Sequence, residues 1–378
     1  MTFEELVTAA GVRGASDVHL RAGEPPFVRI GGQLEQWNSV PSTSAEHIES
    51  IAARILTPDQ AAKFKIKLEL DVAWVAPGIG RVRASVFRQR GTIAISMRLI
   101  PEVVPSIEHL GLPPAVMNLS TESRGLILVT GITGSGKSTT LASLVDLINR
   151  TRPLHVLTIE DPIEFMHRNV LAVVTQRETG FDTPGYAAGV RAALRQDPDV
   201  ILIGEMRGPA TIKAALTAAA TGHLVLSTLH TVNAPETITR IVASFPAHQQ
   251  SQIRHQLASV LRASISQRLL PRADGTGLAL AAEVMMATPY VRECIANRDK
   301  TNALSDAIVA GAQYGMLSFD QSIVNLVNEG TVTEDEALRW VTNVEEFKMQ
   351  MRGITRGTTM AKGPAEVAVP AVESMLTR

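Results

Sequence analysis

Gly131-Ile132-Thr133-Gly134-Ser135-Gly136-Lys137-Ser138 decides how the rest of this chain is read. It fits G-x-x-x-x-G-K-[ST] at every position, follows the apolar run 126–129 and precedes a helical pattern from Ser138. Strand, glycine-rich turn and helix are the context that the motif needs. Glycines let successive backbone N–H groups turn inward around phosphate oxygens. The start of the following helix adds its positive end. Gly131, Thr133, Gly134, Ser135, Gly136, Lys137, Ser138 and Thr139 are therefore expected to hold ATP, with Lys137 on the β- and γ-phosphates and the Ser138 hydroxyl on Mg²⁺. The bland alternative is an ordinary glycine-rich loop. It needs a chance match that arises on the order of once in a hundred chains of this length.

Outward from the loop, short continuous apolar runs recur at 156–159, 170–174, 200–203 and 224–226, with helical patterns such as 138–149 and 210–221 between several of them. Buried runs alternating with helices predict an α/β fold with a parallel sheet covered on both faces. From Ser251 onward the chain reads as mostly helical. The first hundred residues have a different texture. Helical spacing at 3–10 and 45–56 is mixed with strand patterns at 17–20, 27–30, 70–75, 81–88 and 93–99, which predicts a small α+β unit. Residues 100–114 hold four prolines and read as a linker. Residues 353–378 keep no sustained period and are expected to be a flexible tail.

Composition narrows the function classes. The 378 residues carry 36 Lys and Arg against 37 Asp and Glu, a formal net charge of -1, so no general nucleic-acid coating surface is expected. One cysteine, Cys294, excludes a disulfide framework and a four-cysteine zinc site within the chain. Met1-Thr2-Phe3-Glu4-Glu5-Leu6 is acidic where a signal peptide would be basic, and no apolar run reaches the roughly 18 residues of a membrane span. The expectation is a cytoplasmic protein that meets a membrane only through a partner.

Carboxylates follow two of the apolar runs. Residues 200–203 end in Gly204-Glu205, and 156–159 end in Glu160-Asp161-Pro162-Ile163-Glu164. Ligands bind at the carboxyl ends of parallel strands, so both acidic ends would face the phosphates, where Glu205 could orient or deprotonate water. One such residue alone would read as a cap or a solvated loop; two downstream of a phosphate loop favour chemistry.

These segments, with Asp197 to Arg207, Thr221-Gly222-His223 and Thr228-Leu229-His230-Thr231, resemble the type II/IV secretion ATPase superfamily. Ser16-Asp17-Val18-His19-Leu20, followed by Pro25-Pro26 and Arg29, is similar to the family's first domain. The resemblance implies a PAS-like N-terminal domain over 1–100, an interdomain linker over 101–115 and a RecA-like P-loop ATPase domain over 116–352. It also implies a ring-shaped homohexamer that works on a type IV pilus through an inner-membrane platform protein. By the same resemblance Lys137 and Ser138 belong to the Walker A loop, Glu160 and Asp161 lie in the acidic box and Glu205 is the Walker B glutamate; Glu164 and Arg207, in the same matching stretches, are further candidate site residues. His223 and His230 form a histidine box. Of Arg81, Arg83, Arg88, Arg90 and Arg98, some would reach a neighbour's nucleotide; Arg83 and Arg98 are favoured, since a planar, permanent charge suits developing phosphate charge. The bland readings are a capping histidine and a solvated strand face. The family's Glu-Met-Arg often continues with Asp, where this chain has Gly208. Around Tyr290 to Ile295 the expected retraction motif keeps only Arg292 and Ile295. Assembly or secretion ATPases of the same superfamily, and a non-hydrolysing ATP-binding accessory protein, stay open at this point.

Overall fold

The computed structural model describes residues 2–76, 80–100 and 103–352. The chain builds a mixed α/β structure on two sheets. The first contains β1 (Ala15–Leu20), β2 (Phe27–Ile30), β3 (Gln33–Gln36), β4 (Glu69–Ala76), β5 (Gly80–Gln89) and β6 (Thr92–Leu99), in the spatial order β3-β2-β1-β6-β5-β4. Every pairing in it is antiparallel. Helices Phe3–Val12 and Ala45–Ile55 bury Phe3, Leu6, Ile48 and Ile51 in one core with Val18, Val82, Val86 and Met97 of the sheet. The first helix opens on a capping box: Glu5 N–H donates to Thr2 Oγ1 (3.2 Å), and Thr2 N–H donates to Glu5 Oε2 (2.8 Å).

The second sheet holds β7 (Gly125–Thr130), β8 (His155–Glu160), β9 (Val173–Glu178), β10 (Val200–Ile203), β11 (Leu224–Leu229), β12 (Leu261–Pro271) and β13 (Leu278–Met286), in the order β13-β12-β7-β11-β10-β8-β9. From β12 to β9 all neighbours run parallel, and β13 is antiparallel to β12. Successive side chains on a strand point to opposite faces. Leu126, Leu128, Leu157, Ile159, Ile201 and Ile203 pack one core with helices Gly208–Ala220 and Ala234–Ala243, while Ile127, Val129, Val156, Val200 and Leu202 pack another with helix Lys137–Thr151. Both faces are dry, which is why these strands read as unbroken apolar runs.

Three expectations change. The stretch after Ser251 is helical in most of its regular structure, as expected, but not throughout: helix Ala247–Val260 gives way at Leu261 to the hairpin β12–β13 before helices resume at Pro289. Leu261, Ala263 and Ile265 alternate with Arg262 and Ser264, a period of two, and pairing beside β7 extends the sheet. The strand expected at 170–174 begins later, at Val173, because Leu171 and Ala172 N–H groups donate to Asn149 O rather than to a neighbouring strand. The proline-rich stretch is partly packed: Ile107 and Leu112 are buried in the second unit's core, and Ser143 Oγ donates to Pro105 O at 2.6 Å. The tail expected at 353–378 lies outside the described residues.

Candidate active site

β7 hands the chain directly to the phosphate loop, and helix Lys137–Thr151 begins at Gly136, whose φ of 87° belongs to the left-handed region. The loop's first glycine is fixed by contact. A Cβ on Gly131 would stand 2.4 Å from Ser135 Oγ and 2.6 Å from Gln267 O, and its φ is 145°. Lys137 is 8% exposed, and its Nζ donates to the carbonyls of Gly131 (2.9 Å) and Ile132 (2.8 Å). Burial lowers its pKa, opposed by the charges of Glu205 and Glu164. The helix carries no acidic residue in its first turn, so its positive end meets no carboxylate of its own.

The carboxyl ends of β8, β10 and β11 lie beside this loop around one cleft of about 530 Å³. Thr133, Gly134, Gly136, Lys137, Ser138 and Thr139 line it together with Glu160, Asp161, Glu164, Glu205 and His230. Glu205 Oε2 accepts from Arg207 Nε at 2.8 Å, and His230 Nε2 stands 3.2 Å from its other oxygen. Glu160 Oε1 accepts from Thr158 Oγ1 (2.6 Å) and Gln176 Nε2 (3.2 Å), and Oε2 faces Glu164 N–H at 3.4 Å. Burial raises the Glu160 pKa more than these donors lower it.

The expected residues do not all gather here. Arg98 lines the cleft of its own chain, with Nε donating to Asp17 Oδ1 at 3.0 Å. Arg83 stays on the first sheet beside Asp71, 3.7 Å away. His223 sits at the amino end of β11 and bonds Ala218 O (3.0 Å), whereas His230 follows the carboxyl end. A strand of this length separates the two by about 20 Å. Sequence reading missed Tyr186, His167 and Gln176. Tyr186 lines the cleft, and burial holds its hydroxyl far above its ordinary pKa, aided by Asp161 and Glu205. His167 lines it with Nδ1 buried and unbonded, and burial lowers its pKa. No local motif marks either residue; only the fold brings them in.

A phosphate-cradling loop that faces acidic strand ends is the arrangement of a P-loop nucleotide site. The family model for type II/IV secretion system proteins matches residues 2–302. A type IV pilus retraction ATPase, PilT, of Pseudomonas aeruginosa is 42% identical over 337 residues, covering 89% of this chain and 97% of the relative. A twitching motility protein of Neisseria gonorrhoeae is 41% identical, covering 85% and 86%. The crystal structure of a pilus retraction motor PilT with bound ADP superposes with a TM-score of 0.84 at 41% identity, covering 92% of this chain and 98% of that one. The chain belongs to the type II/IV secretion system protein family.

Proposed function

We propose that this chain is a motor ATPase that drives type IV pilus retraction. One observation carries the chemistry: Lys137 and the helix start line a single cleft with Glu160 and Glu205. Phosphates bound at the loop would place the bond to be broken beside the Glu205 carboxylate, which Arg207 bonds and His230 approaches. Glu205 is the residue that orients or deprotonates water; Glu160 positions water or metal. His230 and Arg207 orient Glu205, and Asp161 and Glu164 add negative charge in the same cleft. Gly131, Thr133, Gly134, Ser135, Gly136, Lys137 and Thr139 hold ATP with Ser138. The hydroxyl of Ser138 and the nearby carboxylates form an all-oxygen donor set, which suits Mg²⁺. When bound, Mg²⁺ neutralises phosphate charge.

The high identity to PilT across nearly the whole chain supports the retraction role. We read 116–352 as a RecA-like P-loop domain, 1–100 as a PAS-like domain, 101–115 as the segment between them and 353–378 as a tail. The same likeness supports a homohexamer in the cytoplasm, docked on an inner-membrane platform protein. Among the described residues no helix is long and apolar enough to cross a membrane.

The test is to replace Glu205 with Gln in the chromosome and image surface pili. A retraction motor predicts more pili and lost twitching. Bald cells would make it an assembly motor, and unchanged pili with lost secretion would move it to a transport role.

A further inference from the structure

Arg81 lies on β5 of the first sheet, and Glu178 closes β9 at the edge of the second. Arg81 Nη2 donates to Glu178 Oε2 at 2.5 Å, and the two side chains are 17% and 5% exposed. The neighbouring arginines stay with their own sheet: Arg83 beside Asp71, Arg98 on Asp17, and Arg88 on Gly91 O. The oxygen that takes Arg81 also accepts the Ile163 N–H at 3.3 Å. Ile163 is buried and directly follows Glu160-Asp161-Pro162. A second tie runs alongside, from Thr179 N–H to Glu160 O at 2.8 Å. The Glu178 carboxylate therefore joins the first sheet to the backbone that carries the acidic cleft wall.

We propose that Arg81 is a positioning residue for hydrolysis: through Glu178 it fixes the 160–164 loop at the cleft, so that turnover follows the placement of the first sheet. Among the described residues Arg81 has no hydrogen bond or ion pair to the phosphate loop; its effect passes through one shared carboxylate oxygen. A shift of the first sheet that withdrew the guanidinium would leave the buried Glu178 side chain with the Ile163 N–H alone among the described donors, which favours a rearranged loop. The coupling carrier is thus a named pair with two arrangements, paired and parted. This inference rests on the ATPase reading above.

The experiment uses the full chain and the variants Arg81→Ala, Arg81→Lys, Glu178→Gln and the double Arg81→Ala/Glu178→Gln. Steady-state hydrolysis and binding of a fluorescent ATP analogue are measured for each. Glu178→Gln keeps an oxygen for Ile163 N–H and removes only the charge pair. Both Arg81→Ala and Glu178→Gln should lower kcat roughly 3- to 30-fold, with KM and analogue affinity little changed, because the phosphate loop is untouched. The double variant should be no worse than the poorer single, since both remove one link. Arg81→Lys should recover part of the rate. Normal kcat in Arg81→Ala overturns the proposal. So does a loss in Arg81→Ala beside a normal Glu178→Gln, or losses that multiply in the double. Should Glu178→Gln fail to fold, equal losses in Arg81→Ala and Arg81→Lys overturn it as well. A wild-type chain without turnover sinks the ATPase reading itself, and this proposal with it; unaffected variants beside an active wild type sink the positioning role alone.

Discussion

His230 Nε2 stands 3.2 Å from Oε1 of Glu205, whose other oxygen accepts from Arg207 at 2.8 Å. A carboxylate bonded on one oxygen and approached on the other is limited in the orientations it can present to the cleft. Glu205→Gln keeps the shape and loses the base, so turnover should fall about 10²–10⁴-fold while ATP still binds. His230→Ala frees one oxygen only and should cost less. Phosphate release and analogue binding measured on both variants check this; near-normal turnover in Glu205→Gln would remove it from the chemistry.

Two glycines of the phosphate loop should respond differently to the same change. Gly131 and Gly134 both have positive φ, 145° and 81°. A methyl on Gly134 meets open space, whereas one on Gly131 meets Ser135 Oγ and backbone O of Gln267 on β12. Gly134→Ala should cost only local strain, about 1–2 kcal/mol. Gly131→Ala must also push the loop off β12, so it should melt lower and bind no ATP. Equal melting temperatures would contradict the close approach.

Arg98 lines the cleft of its own chain, and Arg83 is turned to Asp71. Arg98→Ala should therefore cut hydrolysis with binding largely kept, and Arg83→Ala should do less. If Arg98 serves its own cleft, mixing Arg98→Ala with Lys137→Ala restores nothing beyond simple dilution. Recovered activity on mixing would show that the guanidinium acts across a subunit boundary.

The loop 131–139 and the strand at 200–203 were legible because each is a local pattern: a fixed motif, and an apolar run bounded by polar residues. The hairpin β12–β13 was not. Arg262, Ser264, Ser266 and Gln267 break its apolar run, yet Ser264, Ser266 and Gln267 are buried, and Ser266 and Gln267 find partners in Thr130 of β7 and Thr140 of helix Lys137–Thr151. The cleft shows the same division. Lys137 and Glu205 were found by their neighbours in sequence, while Tyr186 and His167 enter through packing alone. His223 and His230 look alike in sequence, but a parallel strand carries only its carboxyl end to the ligand. Arg81 was indistinguishable from four other arginines until β9 placed Glu178 against it.

Glu160 should trade stability for activity in a pH-dependent way. Burial raises its pKa above the ordinary 4.5, so the folded chain holds this proton more tightly than the unfolded chain does. Below the unfolded value both states are protonated, and the group costs no ionisation in the fold. As pH rises through the raised folded value, the buried carboxyl has to ionise, and the stability present in acid is lost. Glu160→Gln removes this titration and keeps an oxygen for Thr158 and Gln176; it gives up only the 3.4 Å approach of Glu164 N–H. The variant should thus melt higher than wild type at about pH 8, and the gain should vanish near about pH 4. Its turnover should fall over the same range, since water or metal loses its carboxylate. Thermal melting of both chains across that window decides the point: a stability difference that does not change with pH would mean that Glu160 is not held above its ordinary value in the fold.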